Sequence, residues 1–401
     1  MNVKTMRKID SYAGSVVCLV LDIYEWLKRC FVSPPEPAKT PPRTILVTKY
    51  LGMGSILLAT PTLATLKEAF PASRILFLTF ASNAEFARQI DVFDEVIVVR
   101  TGSVIQFAVD MVSVLIRLRR ARIDVAFDLE FFARFSTIVT YLSGARRRIG
   151  YYLPKLWRGD LLTDQIHFNP YRHVTEIFAA QLEPYRLTVH DFSLIPPRIA
   201  PEAVAHVRDV LAADRPEGQK LVVVNVNASD LSQERRWPLE NFRELLQGLA
   251  ARYDVKFVLI GSRGEQEFVG TFFSSLDQST RDKVVNLTGQ LQVTELIALL
   301  SICCLVISND SGPLHIAASL QTPTIAFYGP ETPLLYGPRG GRQVIFYAGI
   351  YCSPCLNVYN AKKAMCNGDN RCMQAISPAD VLQEIERQSE DGGLLSFLRT
   401  P

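Results

Sequence analysis

Twice along this chain, short β-rich runs alternate with helical stretches, and no other feature of the sequence narrows the fold so far. From Thr44, "TILVTK" leads into a helical pattern beginning near Ser55, then "RILFLTF", a helix, "EVIVVR", a long helix through Arg120, "IDVAFDLE" and a helix toward Ser143. This βαβα order makes a mostly parallel sheet with helices on both faces. The rhythm pauses at "HDFSLIPPRIAPE" (His190 to Glu202), where prolines and lost periodicity predict a connection between domains. It resumes through "LVVVNVN", "VKFVLIG", "KVVNLTG", "CCLVISND" and "PTIAFYG", five further strands with helices such as "ENFRELLQGLAARY" between them. The 401 residues leave room for two domains, each of about 150 to 200 residues. Two doubly wound domains imply a cleft, with ligand groups at the C-terminal ends of the strands.

Charge excludes one class of partner. With 43 Lys+Arg against 40 Asp+Glu, the net charge of +3 argues against a nucleic-acid binder working through bulk charge. The first forty residues are distinct. Ser11 to Leu21 is uncharged, but Asp22 and Glu25 follow at once, leaving a run shorter than the roughly 20 apolar residues a spanning helix needs. On a helical wheel Tyr12, Val16, Leu19, Val20, Ile23 and Leu27 form one stripe, with Asp22, Glu25 and Arg29 opposite. Lys4, Arg7, Lys8, Lys28 and Arg29 bracket the segment, and Trp26 and Tyr24 suit a headgroup region. Such a helix lies in a membrane interface; packing against the protein's own body is the alternative. No small-x-small cleavage site follows it. "VSPPEPAKTPP" (Val32 to Pro42) reads as a stiff, extended linker.

The strongest local signal is "VISNDSGPLHIAASLQTPTIAFYGP" (Val306 to Pro330). An apolar strand ends at Ser308, Asn309, Asp310 and Ser311 follow, Gly312 turns the chain, and Pro313 stands where a first helical residue is favoured. The helix points free N–H groups and its positive end outward, which suits a diphosphate, and His315 sits in its first turn. A second strand end, "VVNVNASDLSQERRWPLENF", carries Asn225 and Asn227, then Arg235 and Arg236. Arginine recognises phosphate in a planar, bidentate way and keeps its charge. "IGSRGEQE" and "NLTGQLQVTELIALL" are two further turns after strands.

Together with "YLGMGSILLATPTLATLKEAFP" and "GARRRIGYY", these stretches make the sequence resemble glycosyltransferase family 9, the ADP-heptose:lipopolysaccharide heptosyltransferases and their relatives. The motifs run from about Thr44 to Pro338 in family order. The resemblance implies an α/β GT-B architecture, two doubly wound Rossmann-like domains facing each other across a cleft. It also implies inverting transfer without a metal or other cofactor, a nucleotide-sugar donor on the C-terminal domain, and a lipid-linked saccharide acceptor. The corresponding divisions are 1–42 (helix and linker), 43–190 (acceptor-side domain), 191–376 (donor domain) and 377–401 (C-terminal helix and tail). Such a protein sits in the cytoplasm, peripheral on the inner face of the cytoplasmic membrane. Ser311, Gly312, Leu314 and His315 match the turn whose amides hold the donor diphosphate, with Asp310 just ahead. Arg235 stands where the family usually has a phosphate-binding lysine.

One position departs from the pattern. The family's proposed catalytic aspartate follows the first glycine turn, six residues before a proline; counting back from Pro61 gives Ser55, after Gly52 and Gly54. Direct displacement at an anomeric carbon requires the acceptor hydroxyl to lose its proton, and serine is a poor base. Ser55 then positions the acceptor or caps the helix, and Glu130, or failing that Asp128, takes the base role; alternatively these acids pair with Arg134 or Arg146. His173 is a third candidate base. A chain that binds a nucleotide sugar or lipid without catalysis, and a nucleotide-sugar epimerase or hydrolase, are the rival readings. Arg146 and Arg147 within "ARRRI", with Lys155 and Arg158, make the acceptor side basic and attractive to phosphates or acidic sugars. Finally, Cys352, Cys355, Cys366 and Cys372 have spacings of two, ten and five residues. They form either one structural zinc site, two disulfides, or free thiols.

Overall fold

The structure, a computed structural model, describes residues 3–31, 40–131, 133–212, 219–228, 232–360, 362–390, 393 and 395–398. Most of the proline-rich linker, and the side chain of Lys4, fall outside them. The chain divides into two compact units, Met1–Ile195 and Pro196–Pro401.

The first unit holds six parallel strands: β1 (Thr44–Thr48), β2 (Arg74–Phe80), β3 (Glu95–Val99), β4 (Val125–Asp128), β5 (Arg147–Tyr152) and β6 (Asp164–His167). They are ordered β3-β2-β1-β4-β5-β6. The second holds β7 (Lys220–Asn225), β8 (Val255–Leu259), β9 (Val284–Asn286), β10 (Leu305–Asn309), β11 (Thr324–Tyr328) and β12 (Gln343–Tyr347). Their order is β12-β11-β10-β7-β8-β9. Renumbered within its own unit, the second sheet has the same order as the first, the doubly wound arrangement of dinucleotide-binding folds. In each, the first and fourth strands are neighbours, with Thr48 opposite Asp128 and Asn225 opposite Ser308. There the chain leaves in opposite directions, so a crevice opens beyond the strand ends.

The central strands are buried on both faces, so they show the near-continuous apolar runs read from the sequence. Three strands escaped that reading. β5 opens on two half-buried arginines, and β6 and β12 are edge strands with mixed exposure, so none carries an unbroken apolar run. The second core is organised on Trp237, stacked 4.2 Å from Phe327 and edge-on to Phe242. Its indole N–H donates to the Ile376 carbonyl, so the ring is buried without an orphaned donor.

The N-terminal helix spans Val3–Phe31 and lies against the Arg134–Leu142 helix. Its polar side is the one that meets the body. Asp10 accepts from the Arg134 and Phe135 amides, capping that helix, Asp22 accepts from the Asp160 amide, and Glu25 accepts from the Tyr141 hydroxyl.

Candidate functional site

In the second unit, the polar residues after β7 and β10 are stitched together at the switch. The Asn225 amide donates to the Ser308 and Ser311 hydroxyls, and the Asn309 amide donates to the Val226 and Asn227 carbonyls. Asn309 also accepts from the Trp237 amide, anchoring the start of the arginine-bearing loop. These bonds consume the Ser311 hydroxyl, so the Gly312–Ser319 helix has no side-chain cap at its N-terminus. Its first amides and positive dipole end are therefore left for an anion.

Arg235 stands beside that terminus. Its guanidinium donates to Asp310 at 2.9 Å, and His315 Nε2 lies 3.9 Å from the other oxygen of the same carboxylate. Burial works against the Arg235 charge, but the adjacent Asp310 more than compensates and its pKa rises. Burial lowers the His315 pKa, with Asp310 opposing and Arg235 assisting, which favours the neutral imidazole. Asp310 and Arg235 thus present a fixed anion and cation whose mutual pairing is preorganised.

Sequence reasoning did not reach two further members. Glu331, just past β11, is buried and accepts from Lys362, whose ammonium also lies 4.1 Å from the Tyr336 ring centroid. Burial raises the Glu331 pKa, reinforced by Asp310 and opposed chiefly by Lys362. Burial lowers the Lys362 pKa, with Glu331 opposing. Among the described residues, Glu331 Oε1, His315 Nδ1, Thr288 Oγ1 and both amide atoms of Asn227 are buried without a hydrogen-bond partner. Native interiors rarely leave such groups unpaired, so these groups, following β7, β9, β10 and β11, make the crevice a candidate ligand site.

Gly261, after β8, completes it. A Cβ there would approach to 2.9 Å of Thr288 Cγ2 and 3.1 Å of the Asn227 amide nitrogen. Gly261→Ala is accordingly expected to displace these two polar side chains and weaken nucleotide binding about tenfold, roughly 1.4 kcal/mol. Calorimetric titration with ADP checks this, and unchanged affinity removes Gly261, Asn227 and Thr288 from the site.

The first unit's switch has a different character. Gly52, at φ +84°, is the N-cap of the Met53–Leu58 helix, and no side chain caps it. Ser55 is half-buried in the first turn, so the capping role expected of it is not what the structure shows. Gly54 is buried. Beneath the turn, Lys49 donates to Glu130 at 2.8 Å and to the Leu51 carbonyl at 2.9 Å. Glu130 also accepts from the Tyr50 amide. Asp128 accepts from Thr48, Ser136, Thr137 and the Glu130 amide, with Arg158 3.7 Å away. Burial raises its pKa, opposed chiefly by Arg158.

Several expectations change here. The acids pair with Lys49 and Arg158 rather than with Arg134 or Arg146. Glu130 and Asp128 are 1% and 0% exposed, and a base must reach the proton it removes. His173 is the buried N-cap of the Val174–Ala179 helix, accepting from the Thr175 amide. Arg146 and Arg147 lie at the N-terminal start of β5, the sheet edge opposite to Ser55 and Glu130, and Arg147 is paired with Asp164. They do not form an acceptor subsite with the glycine turn. The sequence showed no strand there, so the direction of the basic run was not readable.

The four C-terminal cysteines are free thiols. Burial, followed by the nearby Cys366 and Cys352, raises the Cys355 pKa. Among the described residues, no group of three or more His, Cys, Asp or Glu side chains is arranged to hold a metal ion. Burial, followed by Cys355, likewise raises the Cys372 pKa, with Cys352 and Cys366 adding to it, so the four thiols lie near one another.

Two six-stranded, doubly wound α/β units in one chain place the protein in the GT-B fold class. Residues 112–365 match the description "Glycosyltransferase family 9 (heptosyltransferase)", and the chain belongs to that family. It is similar to a lipooligosaccharide heptosyltransferase 2 of Campylobacter jejuni, at 25% identity over 43% of this chain and 52% of that protein. The chain spans about half or less of the length of the curated relatives it matches. Among solved structures, a glycosyl transferase family 9 protein of Veillonella parvula has a TM-score of 0.71 at 21% identity, covering 91% of this chain and 100% of that one. The E. coli ADP-heptose lps heptosyltransferase II also reaches 0.71, at 20% identity over 89% of this chain and 100% of the other. At these identities the structural likeness concerns the fold.

Proposed function

We propose that this protein is an inverting glycosyltransferase moving a sugar, heptose from ADP-heptose, onto a lipid-linked envelope saccharide such as lipopolysaccharide core. The observation that carries the reading is the Arg235–Asp310–His315 cluster beside the uncapped start of the Gly312–Ser319 helix. Family membership and the names of the relatives agree with it. In this reading the acceptor oxygen attacks the anomeric carbon as the bond to the diphosphate oxygen breaks. The electron pair departs with the diphosphate, and the acceptor hydroxyl's proton passes to solvent water. Arg235 and the amides of Gly312, Leu314 and His315 stabilise that charge without a metal. Asp310 and Glu331 face the sugar hydroxyls as acceptors.

Ser55 positions the acceptor hydroxyl at the first switch. Glu130 and Asp128 serve as the frame that holds the Gly52–Ser55 turn, and the base role is not assigned to them, since both are enclosed and engaged. In this reading the work is done at the cytoplasmic face of the membrane, which a lipid-linked acceptor and the exposed apolar arc of the N-terminal helix support.

The test is release of nucleoside diphosphate from ADP-heptose and from UDP- and GDP-sugars, with and without an envelope-lipid extract. Acceptor-dependent release from ADP-heptose is expected. Release without acceptor marks a hydrolase, conversion of the donor with no release marks an epimerase, and binding with no turnover marks a silent binding protein; each overturns the proposal.

A further inference from the structure

A surface helix ordinarily buries its apolar face and shows water its charged one. The N-terminal helix does the reverse. All three of its acids, Asp10, Asp22 and Glu25, are turned to the body and hydrogen-bonded there, beside buried Gly14 and Cys18. Arg29 reaches the Asp160 carbonyl on the same side. The outward arc carries Tyr12, Val16, Leu19, Val20, Ile23 and Leu27, with Tyr12 78%, Val16 62% and Ile23 50% exposed. The polar bonds thus fix the helix in the one orientation that leaves its apolar stripe uncovered. Contiguous exposed apolar surface of this kind marks an interaction site.

The chemistry of the arc selects the partner. It holds no carboxylate, its tyrosines and exposed Trp26 are the side chains favoured at a headgroup boundary, and exposed Lys8 stands toward one end. A 29-residue helix, roughly 44 Å long, forms a ridge, not a groove for a peptide. Among the described residues, no helix is long and apolar enough to cross a membrane.

A second stripe lies near the start of the N-terminal helix. Met6 shares a core cluster with Phe107, Met111 and Leu115 of the Val104–Ala121 helix and with Phe135. The Val104–Ala121 and Arg134–Leu142 helices are successive crossovers running the same way across the sheet, from β3 to β4 and β4 to β5, so they cover one face of it. Ile105, Val109, Val112 and Ile116 of the former are exposed at helical spacing, with exposed Arg120 and Arg122 at its end.

We infer that the outward faces of the Val3–Phe31 and Val104–Ala121 helices form one docking surface for an anionic lipid bilayer. The two stripes sink into the headgroup boundary while Lys8 and Arg120 meet the phosphates. This deepens the reading that the acceptor is lipid-linked, and it is tested without donor or acceptor, so failure of transfer and failure of docking stay separable. The full-length protein is floated with vesicles of phosphatidylglycerol and phosphatidylethanolamine, and with vesicles of phosphatidylcholine alone. Binding to the anionic vesicles is expected to exceed binding to the neutral ones at least tenfold and to fall as salt rises. Leu19→Glu with Ile23→Glu is expected to reduce it at least tenfold while melting temperature and ADP affinity hold. Val109→Glu with Val112→Glu is expected to reduce it severalfold. Absence of vesicle binding, or undiminished binding by the Leu19/Ile23 variant, overturns the inference. So does a dimer in sedimentation that the same substitutions dissociate without any vesicle binding, which makes a second copy the occupant.

Discussion

Arg235→Ala is expected to lower acceptor-dependent ADP release by 10²- to 10³-fold, about 3 to 4 kcal/mol, the usual cost of removing one preorganised donor from developing charge. The effect arises because Arg235 is a fixed cation beside the free amides of the Gly312–Ser319 helix, held there by Asp310 at 2.9 Å. Arg235→Lys separates chemistry from folding. It retains the charge and a partner for Asp310 but loses the planar fork, so activity within about tenfold of the parent is expected. Steady-state kinetics of both variants, with thermal melts, check this. If Arg235→Ala releases ADP at the parent rate, the leaving group is not stabilised here.

The second large effect is on stability. Glu130→Gln is expected to cost roughly 3 to 5 kcal/mol, because it leaves the Lys49 ammonium buried beside a neutral amide. Lys49 is 2% exposed and its pairing with Glu130 is at 2.8 Å. The loss appears as a melting temperature lower by on the order of 10 °C. Lys49→Met combined with Glu130→Gln should recover much of it, since replacing both charges costs far less than orphaning one. Were Glu130 the catalytic base instead, Glu130→Gln would keep its melting temperature and lose turnover, and the double variant would recover nothing. The comparison therefore decides between frame and base, which a rate measurement on Glu130→Gln alone does not.

The two halves were legible because their central strands are buried on both faces and so appear as apolar runs, each closed by a turn. "SNDSGPLH" was legible for a related reason: strand end, polar turn and proline-led helix are contiguous. What escaped was what depends on distant segments meeting. Glu331 and Lys362 lie 31 positions apart, and Lys49 and Glu130 81 apart, with no spacing rule linking them. A wheel placed Asp22 and Glu25 opposite the apolar stripe correctly, but periodicity is silent on which face meets the body. That was settled by partners such as Tyr141, more than a hundred residues away. Likewise Arg147 reads as basic in any register; only its place at the start of β5, paired with Asp164, takes it away from the glycine turn.

The central claim is that the nucleotide diphosphate rests on the β7–β10 switch. Amide hydrogen exchange of the full-length protein, with and without saturating ADP, tests it most directly. The account predicts slowed exchange at Gly312, Leu314 and His315 and along 225–228 and 286–289, with little change along 48–58. Protection confined to 48–58, or none at Gly312 to His315 when binding is saturated, would contradict it.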